Sequence, residues 1–282
     1  MDAHLLYQNL AVIAAFLLVY SLIAGRFESK LVNGPLLFLL TGWLLGPGGL
    51  ELLSLSIDSA GIKLLAELTL VIVLFNDAAN TNWQVLLANR QLPIRLLKIS
   101  YLNGWQLPLW RQLTMPGLAL LCFALAQTLG GSGFIAAFVG GLFIGHRLGE
   151  HKHAYMDSCE GYGDLLSVVI WMVFGATLMP ILPELLHWQY WLYAIASLTL
   201  LRMVPVWLSL IGTGLKPELK LFIGWFGPRG LASIVFAVMV LQNEPALIGQ
   251  RPIIATVLCT IILSVILHGL TANPWVERFK PR

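Results

Sequence analysis

The stretch from Leu219 to Leu241, LKLFIGWFGPRGLASIVFAVMVL, is apolar over a length that crosses a bilayer, yet it carries Gly227, Pro228, Arg229 and Gly230 in its middle. A charged side chain at mid-membrane depth costs at least ~2.5 kcal/mol, so an arginine kept there faces protein or a watery cavity. Pro228 removes a backbone donor and its flanking glycines loosen the helix. The carbonyls freed in this way need partners in a protein-lined interior. Gly227, Pro228 and Gly230 therefore read as a helix break, and Arg229 as a functional charge beside it.

A mean hydropathy of +0.80, with 58% hydrophobic and 11% charged residues over 282, is far beyond what a soluble domain of this length can hide. The fold class expected is an all-α, polytopic transmembrane helix bundle. At ~20 apolar residues per span there are about nine spans, roughly 6–25, 34–50, 60–79, 113–130, 132–148, 162–182, 189–212, 219–242 and 251–272. The chain divides into residues 1–79 with three spans, a cytoplasmic segment at 80–112, the remaining spans at 113–273 and a basic tail at 274–282. The first apolar block, Leu5 to Ala24, has no basic region before it and no A-x-A site after it, so it reads as a span rather than a removable signal.

The net charge of +3 is small and matters only in where the charges sit. Arg26, Lys30, Arg90, Arg95, Lys98, Arg111, Arg147, Lys152, Lys216, Lys220, Arg278, Lys280 and Arg282 fall on one side of the nine spans, with only Lys63 and Arg251 near the other. The positive-inside rule then places the N-terminus outside and the C-terminus in the cytoplasm of a cell membrane. Residues 81–112 are too polar to span; NWQVLLANRQLPIRLLKI has the pattern of an interfacial helix.

Several side chains could carry chemistry. Glu67, Arg202 and Arg229 lie inside spans with no evident route to water, and each is a functional candidate by position. Glu67 has an alternative as an ion pair with Lys63, one turn earlier. Arg202 could equally bond carbonyls freed by Pro205. Asp77 closes the third span, attracting cations or simply ending the helix in water. Glu160 and Asp164 sit near the expected start of the sixth span, where a helix dipole favours anions.

His146, His151 and His153, with Cys159 nearby, suggest pH sensing more than metal, because their spacing fits no zinc pattern. His268 reads as a hydrogen-bonding residue near the end of the last helix. Cys122, Cys159 and Cys259 form no disulfide framework. In TLGGSGFIAAFVGGLFIG no Lys-Ser/Thr pair follows the glycines, which excludes a phosphate loop. Gly130, Gly131 and Gly133 form a turn, and Gly140, Gly141 and Gly145 a small-residue packing face. No serine triad, HExxH or paired catalytic carboxylates occur in a soluble region, so neither an enzyme nor a cofactor is expected, and no nucleic-acid partner.

LAELTLVIVLFNDAAN, GSGFIAAFVGGLFIGH, FIGWFGPRGLASIVFA and TIILSVILHGLTANP, in this order, resemble segments of the sodium/proton exchangers of the monovalent cation:proton antiporter superfamily. The resemblance implies interrupted helices in inverted repeats, alternating access, Na⁺ or K⁺ exchanged for H⁺, and a possible homodimer in the lipid bilayer. It implies that Glu67 helps coordinate the ion and that Arg229 is a fixed charge paired with an acid on the ion-site helix. The family's Thr-Asp and Asn-Asp or Asp-Asp segments are absent, as though about four spans were missing around Lys98 to Asn103, making this an incomplete version of the fold. Glu67 and Asp77 lie about 15 Å apart along one helix and about 80° apart around it, too far for one site. Two readings stay open: cation:proton antiport, or a transport-inactive scaffold. Arg229 would then be an orphan bonding to loosened carbonyls, or have recruited Glu67, Asp77 or Asp164.

Overall fold

The computed structural model describes residues 3–27, 34–54, 60–81, 108–148, 152–177, 182–227, 229–241 and 250–279. Every regular element among them is a helix: α1 (Ala3–Phe27), α2 (Gly34–Leu45), α3 (Ala60–Asn80), α4 (Pro108–Thr128), α5 (Gly133–Leu148), α6 (Lys152–Ala176), α7 (Leu182–Leu185), α8 (Trp188–Leu198), α9 (Leu200–Ser209), α10 (Pro217–Trp225), α11 (Leu231–Leu241) and α12 (Gln250–Phe279). The all-α class is thus as expected. Tyr7–Ala24, Tyr155–Ala176, Trp188–Ser209 and Arg251–Ala272 are long and apolar enough to cross a membrane, and four shorter apolar helices accompany them. The proposed interfacial helix and the Lys98 to Asn103 junction lie outside the described residues.

Three span boundaries differ from those read in the sequence. The sixth helix starts at Lys152 rather than near 162, because Tyr155, Met156 and Cys159 on its first turns are buried and extend its apolar face. Expected span 189–212 is two helices that meet at Thr199, whose φ of −103° and ψ of −84° leave the helical region. The Thr199 hydroxyl donates back to Ile195 O at 2.7 Å, a bond that favours bending. Span 219–242 divides between Trp225 and Leu231, where the Gly-Pro-Arg-Gly break was expected.

The chain forms two compact units, residues 1–63 with 168–282, and residues 64–167. In the second, Val71, Ile72, Phe75 and Ala79 of α3, Met115, Ala119 and Phe123 of α4, Ala137 and Ile144 of α5, and Tyr155, Met156 and Cys159 of α6 make one core. The glycine face of α5 forms as the spacing indicated. A side chain at Gly141 or Gly145 would run into the backbone carbonyls of Phe75 or Ala79, so α5 and α3 meet backbone to backbone. At the turn before α5, Gly130 takes a φ of 78°.

The first unit uses the same device elsewhere. Gly42 and Gly46 of the α2 end lie against the backbone of Met172 and Ala176, and Gly175 against Leu39. α12 packs against α2, α7, α8 and α11, while α9 packs against α10. Helix α1 is largely exposed, and Asn9 anchors it through two 3.0 Å bonds, from its Nδ2 to Ser54 O and from Ser54 N–H to its Oδ1.

Candidate functional site at an interrupted helix

α10 begins well: Pro217 occupies the first turn, where its missing N–H costs nothing, and Glu218 sits at the positive end of the dipole. Its other end has no continuing helix to accept hydrogen bonds from, and α11 resumes only at Leu231. The partners of the stranded carbonyls come from two other helices. Arg202 of α9 donates from Nε to Gly224 O and from Nη2 to Phe226 O, both at 3.1 Å. His268 of α12, only 4% exposed, places Nε2 2.9 Å from Trp225 O. Three consecutive carbonyls are therefore held by a guanidinium and an imidazole. Arg202 can lie there because Gly227 has no side chain, and its guanidinium fills the volume a Cβ would take.

On the far side of the break, Arg229 N–H donates to Ser264 Oγ at 2.8 Å, and Ser264 Oγ lies 3.0 Å from His268 Nδ1. A continuous set of hydrogen bonds thus runs from the start of α11 through α12 to the end of α10. Trp225 Nε1–H donates to Thr271 Oγ1 at 2.9 Å, one turn further along α12. The rings of Trp225 and Phe226 stand 5.2 and 6.0 Å from that of His268, and Phe222 and Phe226 pack against Trp275. These aromatic contacts cover part of the half-buried break and so raise the cost of leaving its carbonyls unbonded.

Arg229 is exposed, and its guanidinium has no hydrogen bond or ion pair with any described residue of its unit. It borders a cleft of about 280 Å³ between α8, α11 and α12, where Tyr193, Ser197, Ser233, Thr256 and Thr260 also contribute polar groups and, among the described residues, no other charged one lines the wall. Arg202 is near enough to Arg229 to repel it. Gly230 opens α11, accepting from Ser233 N–H at 2.9 Å. Pro228 lies outside the described residues.

The three acidic candidates belong to the second unit. Glu67 is half-buried on α3. Asp77 is exposed in the last turns of α3, close enough to Glu160 for the two carboxylates to repel. Asn76 beside it is buried, and Asn80 Nδ2 lies 3.4 Å from its Oδ1. Asp164 is exposed on α6 and takes part in an interaction with its surroundings. Because α6 starts at Lys152, Glu160 and Asp164 sit two turns or more inside it, beyond the reach of the N-terminal dipole invoked for them.

Arg202 bonds the carbonyls at the end of α10 rather than those near Pro205, since Gly224 and Phe226 lie opposite it while Pro205 is early in α9. His268 stands well inside α12, not at its end, and its partner on α10 is 43 residues away in sequence. The available signal was its spacing from Ser264 and Thr271, which puts the three polar groups on one stripe of α12 that Thr256 and Thr260 continue. His146 is exposed; His151 and the side chain of His153 lie outside the described residues.

The family model described as sodium/hydrogen exchanger, transmembrane, matches residues 105–278, a segment that contains the whole interrupted helix and its clamp. The chain belongs to the sodium/hydrogen exchanger family. As a family member it is an integral membrane protein, and its named relatives are transporters. It is similar to the K⁺/H⁺ antiporter NhaP2 of Shewanella oneidensis, with 26% identity over 270 residues that cover 89% of this chain and 43% of the relative. It also resembles Na⁺/H⁺ antiporter 1 of Methanocaldococcus jannaschii, 30% identical over 177 residues that cover 54% and 41% of the two chains. This exchanger-family chain thus spans less than half the length of these curated relatives. Its fold matches the sodium proton antiporter MjNhaP1 of M. jannaschii with a TM-score of 0.65 at 18% identity, over 94% of this chain and 99% of that one.

Proposed function

We propose that the protein exchanges a monovalent cation, Na⁺ or K⁺, for protons by alternating access. The observation that carries this reading is the interrupted helix α10–α11, in which the carbonyls of Gly224, Trp225 and Phe226 are bonded by Arg202 and His268 while the Arg229 guanidinium, in a cleft, has no partner among the described residues of its unit. Such an uncommitted charge repels cations and favours anions, so it can set where a cation is admitted and where a carboxylate stays ionised. Glu67, Asp77 and Asp164 are the proposed carboxylates of the cation path. Relatives are named for both K⁺ and Na⁺. We place the protein in the cell membrane with the N-terminus outside and the C-terminus in the cytoplasm, as the distribution of Lys and Arg favours. A homodimer and an internal gap of about four spans near Lys98 to Asn103 complete the proposal.

Everted vesicles with a pH-sensitive dye test it. Addition of Na⁺ or K⁺ to energised vesicles is expected to release protons from the lumen, and Arg229→Ala to reduce the rate about tenfold or more. Absence of cation-dependent proton movement at every pH, with the protein present in the membrane, overturns the proposal.

A further inference from the structure

We propose that His268 is a proton-binding residue, with hydrogen-bond partners in place for both its neutral and its protonated ring. Both of its ring nitrogens lie 2.9 Å from a carbonyl oxygen, Nε2 from Trp225 O and Nδ1 from Ser264 O, and Nδ1 is also 3.0 Å from Ser264 Oγ. In the neutral ring Nε2–H donates to Trp225 O, and Ser264 Oγ–H donates to the lone pair of Nδ1. When a proton from water adds to Nδ1, the hydroxyl turns away and Nδ1–H donates to Ser264 O. Ser264 Oγ keeps accepting from Arg229 N–H in both states. No heavy atom has to move, and each state leaves the ring fully bonded.

Proton binding adds a positive charge to the carbonyl cluster that Arg202 also holds, since Arg202 bonds Gly224 O and Phe226 O on either side of Trp225 O. Two cations then share three consecutive carbonyls, and the hold on the α10–α11 break changes with the proton. Among the described residues, the charged and titratable groups on or around α12 include Arg251 and Cys259 of α12 itself, Arg202, Arg229, Glu218 and Lys220 in the first turns of α10, and His187, Tyr190 and Tyr193 at or in α8. α7 brings Glu184, whose side chain lies outside the described residues; α2 and α11 bring no such group. Among the described residues no carboxylate bonds the ring, and its charged form is served by the two carbonyls.

The role in exchange rests on the antiport proposal; the proton binding does not. The first test is ¹⁵N NMR of histidine-labelled protein in nanodiscs, with the His268 signal assigned by its loss in His268→Gln. The neutral ring is expected as the Nε2–H tautomer, passing to imidazolium as the sample is acidified. A ring that stays in one state throughout, or a neutral Nδ1–H tautomer, overturns the proposal. Ser264→Ala removes the donor to the neutral ring and keeps the carbonyl that serves the charged one. Its midpoint is expected to differ from that of the wild type, and an unchanged midpoint counts against the two-state scheme. In vesicles the wild-type exchange rate should show a step at the NMR midpoint that His268→Gln lacks. Superimposable profiles overturn the role in exchange. Wild-type vesicles without any exchange defeat antiport and leave proton binding to be decided by the NMR.

Discussion

The guanidinium of Arg202 lies directly on the Cα of Gly227, in the space any larger residue would use for its side chain. The contact couples a residue of α9 to the break between α10 and α11 by shape as well as by hydrogen bonds. Gly227→Ala is therefore expected to expel the guanidinium, the flexible partner, and forfeit its bonds to Gly224 O and Phe226 O. The loss should be about 2 kcal/mol, read as a lower unfolding midpoint in detergent.

Arg202→Lys should recover only part of the wild-type stability, because one ammonium cannot present two donors in a fixed fork to two carbonyls. If the Gly227 effect acts through Arg202, the double variant Gly227→Ala with Arg202→Lys loses less than the sum of the single losses. A thermal-unfolding double-mutant cycle measures this, and simple additivity would show the two residues to be independent.

Glycines of the second unit divide into two kinds. Gly145→Ala drives a methyl into the carbonyl of Ala79 and should destabilise by about 1–3 kcal/mol. Gly161→Ala, on α6, meets no atom within 4 Å and should be neutral or stabilise by about 0.5–1 kcal/mol. Parallel melting curves of the two variants decide it; equal effects would refute the close approach of α5 to α3.

Asn9→Ala removes both bonds between α1 and Ser54. Since little else of α1 is buried, the variant should lose about 2 kcal/mol of local protection. Hydrogen exchange resolved to peptides is the measurement: faster exchange in residues 3–27, with α12 unchanged, is the expected pattern.

The sequence made the break at Gly227 to Gly230 legible because charge and proline are both costly in an apolar run, and the costs point to the same place. The α5 glycine face was legible for a similar reason, since three glycines at helical spacing have little use except close packing. The clamp was not. Arg202 and His268 reach carbonyls on α10, and nothing local to LLRMVPVW or ILHGLT names a partner some 20 or 40 residues away. The start of α6 was hidden because Lys152 to Gly161 is polar on average, and only the burial of Tyr155, Met156 and Cys159 reveals its apolar stripe. The carboxylates and Arg229 fall in different compact units, a division that no local pattern of charge encodes.

Thr199 gives the first unit a joint. The helix before it, α8, packs on α12, while the helix after it, α9, packs on α10. Bending at Thr199 swings α9 away from one support and carries it with the other. Arg202, three residues beyond the joint, ties α9 to the carbonyls of α10, so a change of angle there would reach them through its two bonds. His268 holds the middle carbonyl of the same group from α12, on the other side of the joint. Adjacent oxygens of the interrupted helix are thus tied to elements on opposite sides of Thr199.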